Sequence, residues 1–242
     1  MSRRAHLWLA WLHRILGLVI GIQLLLWTMG GIVMSWLPLE EVRGDHRRAP
    51  HPALALTEDE AARPLVLPAG VREAEGLQLI QRDGRLVWAA PRAGAHAAVF
   101  DARTGAPLPP LQEEAVRRLA QQQYRGNSTI SSLALLANPE ALPQEYRGPL
   151  PVWQAVFADG EGTRFYLSPT TGRLLDVRND IWRFYDFFWM LHIMDYATRE
   201  NFNNPLLRAA APTAFLMALA GWLLLFWRLR RKDLTGPPRL RG

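Results

Sequence analysis

The sequence contains no cysteine. That excludes a disulfide framework, an iron–sulfur site and thiol chemistry together. Lysine is nearly as scarce, with Lys232 alone among 28 basic residues, so the cationic side of the composition is arginine, a bias of genomic GC content rather than of function. Several motifs are also missing. There is no phosphate-binding glycine loop, no G-x-S-x-G and no H-E-x-x-H. Nothing pairs a nucleophile with a base or resembles a flavin site, so no catalytic residues are assigned, and turnover by this chain on its own is not expected.

Charge is also missing from two long stretches near the ends. Residues 7–37 read LWLAWLHRILGLVIGIQLLLWTMGGIVMSWL with one full charge, Arg14, and 205–227 read PLLRAAAPTAFLMALAGWLLLFW with one, Arg208. A bilayer core of roughly 30 Å is crossed by about 20 helical residues, so both stretches are long enough to span. The first is about twice the length of a signal-peptide apolar region and lacks a small-residue cleavage site before Pro38, so it is expected to remain as an anchor.

The cations lie outside these stretches. Arg3 and Arg4 precede the first; Arg228, Arg230, Arg231, Lys232, Arg239 and Arg241 follow the second against one acid, Asp233. The tails are therefore net +7 in a chain whose total is +6. The positive-inside rule then predicts both termini in the cytoplasm of a bacterial inner membrane and the middle of the chain in the periplasm. The high pI of about 10.4 is a topology signal, and no nucleic-acid partner is expected. The organisation expected is a cytoplasmic N-terminus (1–6), transmembrane helix 1 (7–37), a periplasmic domain (38–180), an interfacial aromatic helix (181–198), transmembrane helix 2 (204–228) and a basic cytoplasmic tail (229–242).

Within the middle, two stretches look alike. LQLIQRDGRLVWAAP leads into AHAAVFDARTGAPL, and VWQAVFADGEG leads into TRFYLSPTTGRLLDV. Alternating apolar residues flank Asp83-Gly84 and Asp159-Gly160, which predict hairpins. Thr104-Gly105 and Thr171-Gly172 each predict a turn into one more short strand. Gln112–Gln123 has helical periodicity, and Ser128–Leu136 is a second helical candidate. The fold class expected is a membrane protein of α+β type, with two helix-plus-antiparallel-sheet repeats between the spans.

VFDARTGAPL and FYLSPTTGRLLDV resemble the repeated strand–turn–strand of PepSY domains. HRILGLVIGIQLLLWTMGGIVMSW followed by EEVRGDH, and DFFWMLHIMDY with NFNNPLL, resemble the PepSY-associated transmembrane helix family, a resemblance covering nearly the whole chain. It implies a place near haem-containing inner-membrane reductases that act on ferric siderophores, although those relatives carry more than two spans. Matching histidine positions selects His13 (in HRILG) and His192 (in WMLHIMD), with His46 weaker.

The residues themselves leave two readings of His13. Gly17 and Gly21 follow it on one helix face and would make room for a flat porphyrin, or they form a small-xxx-small packing motif. Ionisable groups at membrane depth are uncommon and usually functional. On a helix over 181–196, Trp189, His192 and Tyr196 share a side, forming either a haem wall with an axial imidazole or an aromatic belt. His46 lies on the same outer side as His192 and is a candidate second ligand. From His13 to Pro38 the helix runs roughly 37 Å at ~1.5 Å per residue, too far for His13 and His192 to share one iron within a monomer. His51 and His96 receive no role. Asn204-Pro205 predicts a cap and first turn for the last helix.

Two classes of function follow. One is a b-type haem electron-transfer component linked to iron or other metal reduction, with haem iron on His192, His46 or His13. The other is an anchored periplasmic module that binds protein or peptide without haem, or a scaffold subunit of a larger membrane complex. The partners expected are the lipid bilayer and either a second copy, met through the Gly17/Gly21 face, or a larger complex.

Overall fold

The computed structural model describes residues 3–50, 54, 56–69 and 76–228. The basic tail 229–242 and His51 lie outside the described residues. The chain divides into two compact units, one holding the first helix and everything from Tyr185 onward, the other spanning Leu37–Phe184.

The first unit is helical. Helix α1 (Arg3–Trp36) and helix α6 (Pro205–Arg228) pack along each other. Both are long and apolar enough to cross a membrane, over His6–Trp36 and Pro205–Trp227. Only 11% and 17% of their most apolar stretches are covered by the protein, which is not how the core helix of a soluble domain behaves. Leu18, Val19, Ile22 and Leu25 of α1 are each more than 70% exposed. The seam between the helices is small and regular, with Ile20, Ala210 and Ala214 buried and Leu24, Trp27 and Met217 against them. Asn204 caps α6, its Oδ1 accepting from the amide of Leu207 at 2.9 Å, with Pro205 in the first turn. Pro212 sits inside that helix.

Between Ile193 and Asn204 the chain turns around one carboxylate. Asp195 accepts from the amides of Ala197, Thr198, Glu200 and Asn201 and from the Thr198 hydroxyl. These donors, the Thr198 hydroxyl foremost, hold its pKa well below the ordinary carboxylate range. Asp186 and Arg199 form an ion pair that joins this turn to the residues before it.

The second unit is α+β with two antiparallel sheets. Strands β1 (Gln78–Arg82), β2 (Arg85–Arg92) and β3 (Ala95–Asp101) form the first, in that order. Asp83 and Gly84 both take positive φ (46° and 78°), the two-residue turn that Asp-Gly favours because its twist matches the strands. Strands β4 (Ile130–Leu136), β5 (Val152–Phe157), β6 (Arg164–Leu167) and β7 (Leu174–Arg178) form the second, in order β4-β5-β6-β7. Ser128–Leu136, read from sequence as helical, is strand β4. Short helices α2 (Leu39–Val42) and α3 (Glu58–Ala62) precede the sheets, α3 opened by a capping box between Thr57 and Glu60.

Helix α4 (Glu113–Gln123) lies on the second sheet, burying Val116 and Ala120 against Phe157, Phe165, Leu167 and Val177. Tyr124 stacks on Phe157 with ring centroids 4.0 Å apart. Because successive strand residues point to opposite faces, Tyr166 faces away from α4. It stacks on Tyr146 at 4.6 Å over a second core with Val152.

The internal resemblance holds at the Thr-Gly turns and not at the Asp-Gly turns. Gly105 and Gly172 both have φ of 72° and each follows the third strand of its sheet. Asp83-Gly84 joins the first and second strands of its sheet, whereas Asp159-Gly160 joins the second and third of the other. After Thr104-Gly105 the expected strand is reduced to a bridge at Pro107, and after Thr171-Gly172 it is all of β7.

Candidate functional site

Histidine 13 is held from across the helix pair. A carbonyl oxygen can only accept, so the 3.0 Å contact between His13 Nδ1 and the Met217 oxygen puts the proton on Nδ1 and the lone pair on Nε2. The ring lies against Gly221 so closely that a Cβ there would come within 2.7 Å of His13 Cε1. The glycine that makes room for His13 is thus on α6. At Gly17, expected with Gly21 to make room for a porphyrin, a Cβ would lie 3.8 Å from the Met217 sulfur, and at Gly21 a Cβ would meet nothing within 4 Å among the described residues.

Histidine 192 sits near the end of helix α5 (Asp180–Ile193). Its carbonyl accepts from Trp27 Nε1 at 2.8 Å, and Gln23 Nε2 donates to the neighbouring Leu191 oxygen at 3.0 Å. Its ring lies by buried Gly30, and its Nδ1 is buried with no hydrogen-bond partner among the described residues. Trp189 does not wall the imidazole. Its indole N–H donates to the Arg199 oxygen at 3.1 Å and its ring meets Phe202 edge-on at 5.4 Å. The aromatic beside His192 is Trp27, 6.4 Å between centroids. Helix α5 ends at Ile193 and Met194 takes φ of 56°, so Tyr196 is not on that helix and shares no face with Trp189 and His192.

Residues 13 and 30 are separated along α1 by roughly 26 Å at ~1.5 Å per residue, so the first unit carries two imidazoles at two separate levels. Either can serve as an axial ligand to iron already held by a macrocycle, but one imidazole alone cannot hold a bare ion. Among the described residues no three His, Cys, Asp or Glu side chains converge as a metal site.

His46 fits a ligand poorly. Its Nε2 donates to Glu161 at 2.8 Å, and its remaining nitrogen, Nδ1, is buried with no partner among the described residues and so is closed to a ligand. Glu161 is shared with Arg47, whose hydrogen bond leads in holding that carboxyl below its ordinary pKa. Asp159 beside it accepts from the Tyr124 hydroxyl at 3.2 Å. The cluster ties the 3₁₀ turn Asp45–Arg47 to the β5–β6 loop, a structural clamp.

A second buried cluster is centred on Glu145. It receives Arg164 at 3.0 Å, the Tyr166 hydroxyl at 2.7 Å and Arg183 Nε at 2.7 Å. Burial pushes its pKa up, but the hydrogen bonds from Arg183 and Tyr166 outweigh that and leave the carboxyl below its ordinary value.

Gln23, Trp27, Gly30, Met217 and Gly221 were not marked by sequence motifs. Gln23 alone carried a signal, as a polar side chain inside an apolar run that needs a partner. Comparison of the chain with models of known protein families, with curated proteins and with solved structures finds no match.

Proposed function

We propose that the chain is an inner-membrane protein with both termini cytoplasmic and the PepSY-like unit periplasmic, and that it works as a b-type haem electron-transfer component. The observation that carries this reading is the hydrogen bond from His13 Nδ1 to the Met217 carbonyl. Metal-bound imidazoles almost always donate their other N–H to a carbonyl or carboxylate, which fixes the tautomer and makes the free nitrogen more basic. His13 meets that condition before any iron is present. His192, whose Nδ1 has no partner among the described residues, meets it less well; His46 meets it through Glu161, but its remaining nitrogen, Nδ1, is buried.

Haem would supply the one-electron chemistry, and the chain supplies one imidazole at each level. A low-spin bis-imidazole site therefore needs a second copy of the chain or another membrane subunit. Gly21, where a Cβ would meet nothing within 4 Å among the described residues, leaves room for such close approach.

The test is a visible spectrum of the detergent-purified protein, oxidised and dithionite-reduced, for wild type, His13→Ala and His192→Ala. The reading predicts a sharp reduced α-band that His13→Ala abolishes or shifts. A featureless wild-type spectrum after expression with haem precursor would sink it.

A second reading, an anchored periplasmic binding module, is favoured by a different observation. A groove of about 620 Å³ opens among the described residues beside edge strand β1, bounded by Leu79, Leu119, Gln123 and Gly172.

A further inference from the structure

Arg82 is buried, 7% exposed, at the end of β1. Its NH2 donates to the Pro109 oxygen at 2.6 Å, and its Nε is buried with no partner among the described residues. No carboxylate comes within ion-pairing distance of it there. The nearest acid by sequence, Asp83, is held by Arg118 at 3.0 and 3.3 Å. Asp101 is turned to the amides of Arg103 and Thr104.

The neighbour across the hairpin makes the deficit larger. Arg82 pairs directly with Arg85, and directly opposed residues of an antiparallel pair project from one face. Two guanidiniums thus meet at a sheet end where like charges are unfavourable. Burial is the main cause that lowers the pKa of Arg82; Asp83 acts the other way, and Arg85, the weakest of the three, lowers it further. A buried guanidinium whose Nε has no partner, and which makes no ion pair among the described residues, is a reason to look for a missing anion.

Both arginines line a cavity of about 190 Å³ together with Asp83, whose carboxylate is engaged by Arg118, and with Val87, Leu108, Pro109 and Leu111. At ~30 Å³ per water this is room for about six waters, or for a ligand of six or seven heavy atoms. One end is cationic, with donors suited to paired oxygens. Apart from Asp83, whose charge is offset by Arg118, the remaining walls are apolar, with Val87 wholly buried.

We propose that this cavity is a binding site for a carboxylate with a short aliphatic tail, seated with its oxygens on Arg82 and Arg85 and its tail against Val87, Leu108 and Leu111. The carboxylate is either a free small acid or the carboxyl terminus of a peptide whose last side chain is aliphatic. The site is independent of haem and needs no second copy.

Thermal melts of the full chain in detergent test it, with isovalerate as probe and isovaleramide and inorganic phosphate as controls at matched ionic strength. Isovalerate should raise the melting temperature in a saturable way and the uncharged amide should not. Arg82→Met, an apolar replacement of similar length, should weaken apparent isovalerate affinity at least tenfold, and the exposed Arg85→Gln severalfold. Should Arg82→Met fail to fold, Arg85→Gln and the acid-against-amide comparison still decide. The peptide Ala-Ala-Val with a free or amidated terminus separates the sources: stabilisation by the free-acid peptide alone marks a peptide terminus, and stabilisation by isovalerate alone marks a free acid. No response to isovalerate or to the free-acid peptide, an equal response to their amides, a response to phosphate only, or full retention of the response in both variants overturns the proposal.

Discussion

The His13 imidazole and the Gly221 backbone are in such close contact that no side chain fits between them. Gly221→Ala should push the ring off the Met217 carbonyl, losing one hydrogen bond, about 1 kcal/mol. Any spectral feature that depends on His13 should be lost in parallel. Gly21→Ala, where a Cβ meets no described residue of the chain, should leave the His13 hydrogen bond intact, so a spectral change there reports on the approach of a second subunit instead. Detergent melts and reduced spectra of the two variants side by side check this.

The Thr-Gly turn of the second sheet is under tighter constraint than its loops. At Gly172 a Cβ would lie 2.4 Å from Leu119 Cδ1 and 3.0 Å from Leu111 Cδ1, on a backbone of positive φ. Gly172→Ala should cost about 2–4 kcal/mol from overpacking and strain together. Gly160 has positive φ but nothing within 4 Å, so Gly160→Ala should cost only about 1 kcal/mol of backbone strain. Chemical denaturation of both variants measures the difference.

Glu145 binds β6 and the first turn of α5 together, and its charge makes that bond acid-sensitive. Its folded pKa is lowered, so the stabilisation is complete above the unfolded value of about 4.3. It is lost as the pH falls through the lower folded value. Wild type should lose stability on acidification below about pH 4.3 along a slope that Glu145→Gln lacks. At pH 7 the variant should be less stable by about 3 kcal/mol, the cost of breaking a buried pair. Melting temperature against pH for the two proteins reads both effects.

Asp195 gives an expectation of the same sign, displaced to lower pH. Its carboxylate is lowered further, by the Thr198 hydroxyl and four amides. Its contribution is complete above about pH 3.9 and disappears only as the pH falls through a folded value well below that. The 195–204 turn should therefore resist limited proteolysis equally at pH 7 and pH 4.5, while Asp195→Ala should be cut there at both.

The parts of this fold legible in sequence were those whose cause is local. The two apolar runs, the Asn204-Pro205 start of α6 and the Asp83-Gly84 hairpin each follow from residues a few positions apart. Strand β4 did not, and the reason is visible in it. Its burial repeats at Ile130, Leu133 and Leu136, three residues apart, because it is an edge strand with a register shift between Ile130 and Ser132. A strand irregular in that way imitates helical periodicity. The surroundings of His13 were beyond reach for another reason. Its hydrogen bond and its packing both come from α6, some 200 positions later. Arg82 looked like an ordinary charged residue beside a turn, and only the packing of Pro109 and Leu111 around it shows that its charge is buried.

Pro107 occupies the place of a fourth strand in the first sheet. Ala106 accepts from the Asp101 amide and the Leu108 amide donates to Val99, both at 2.8 Å. Backbone groups alternate sides along a strand, so the polar groups of Pro107 itself point outward, and proline has no N–H to offer there. The chain then continues into Pro109 and Pro110. That rim is a dead end for recruitment: another β-strand arriving from solvent finds no donor to grip, and unwanted sheet-to-sheet polymerisation is blocked on this side at no cost in exposed charge.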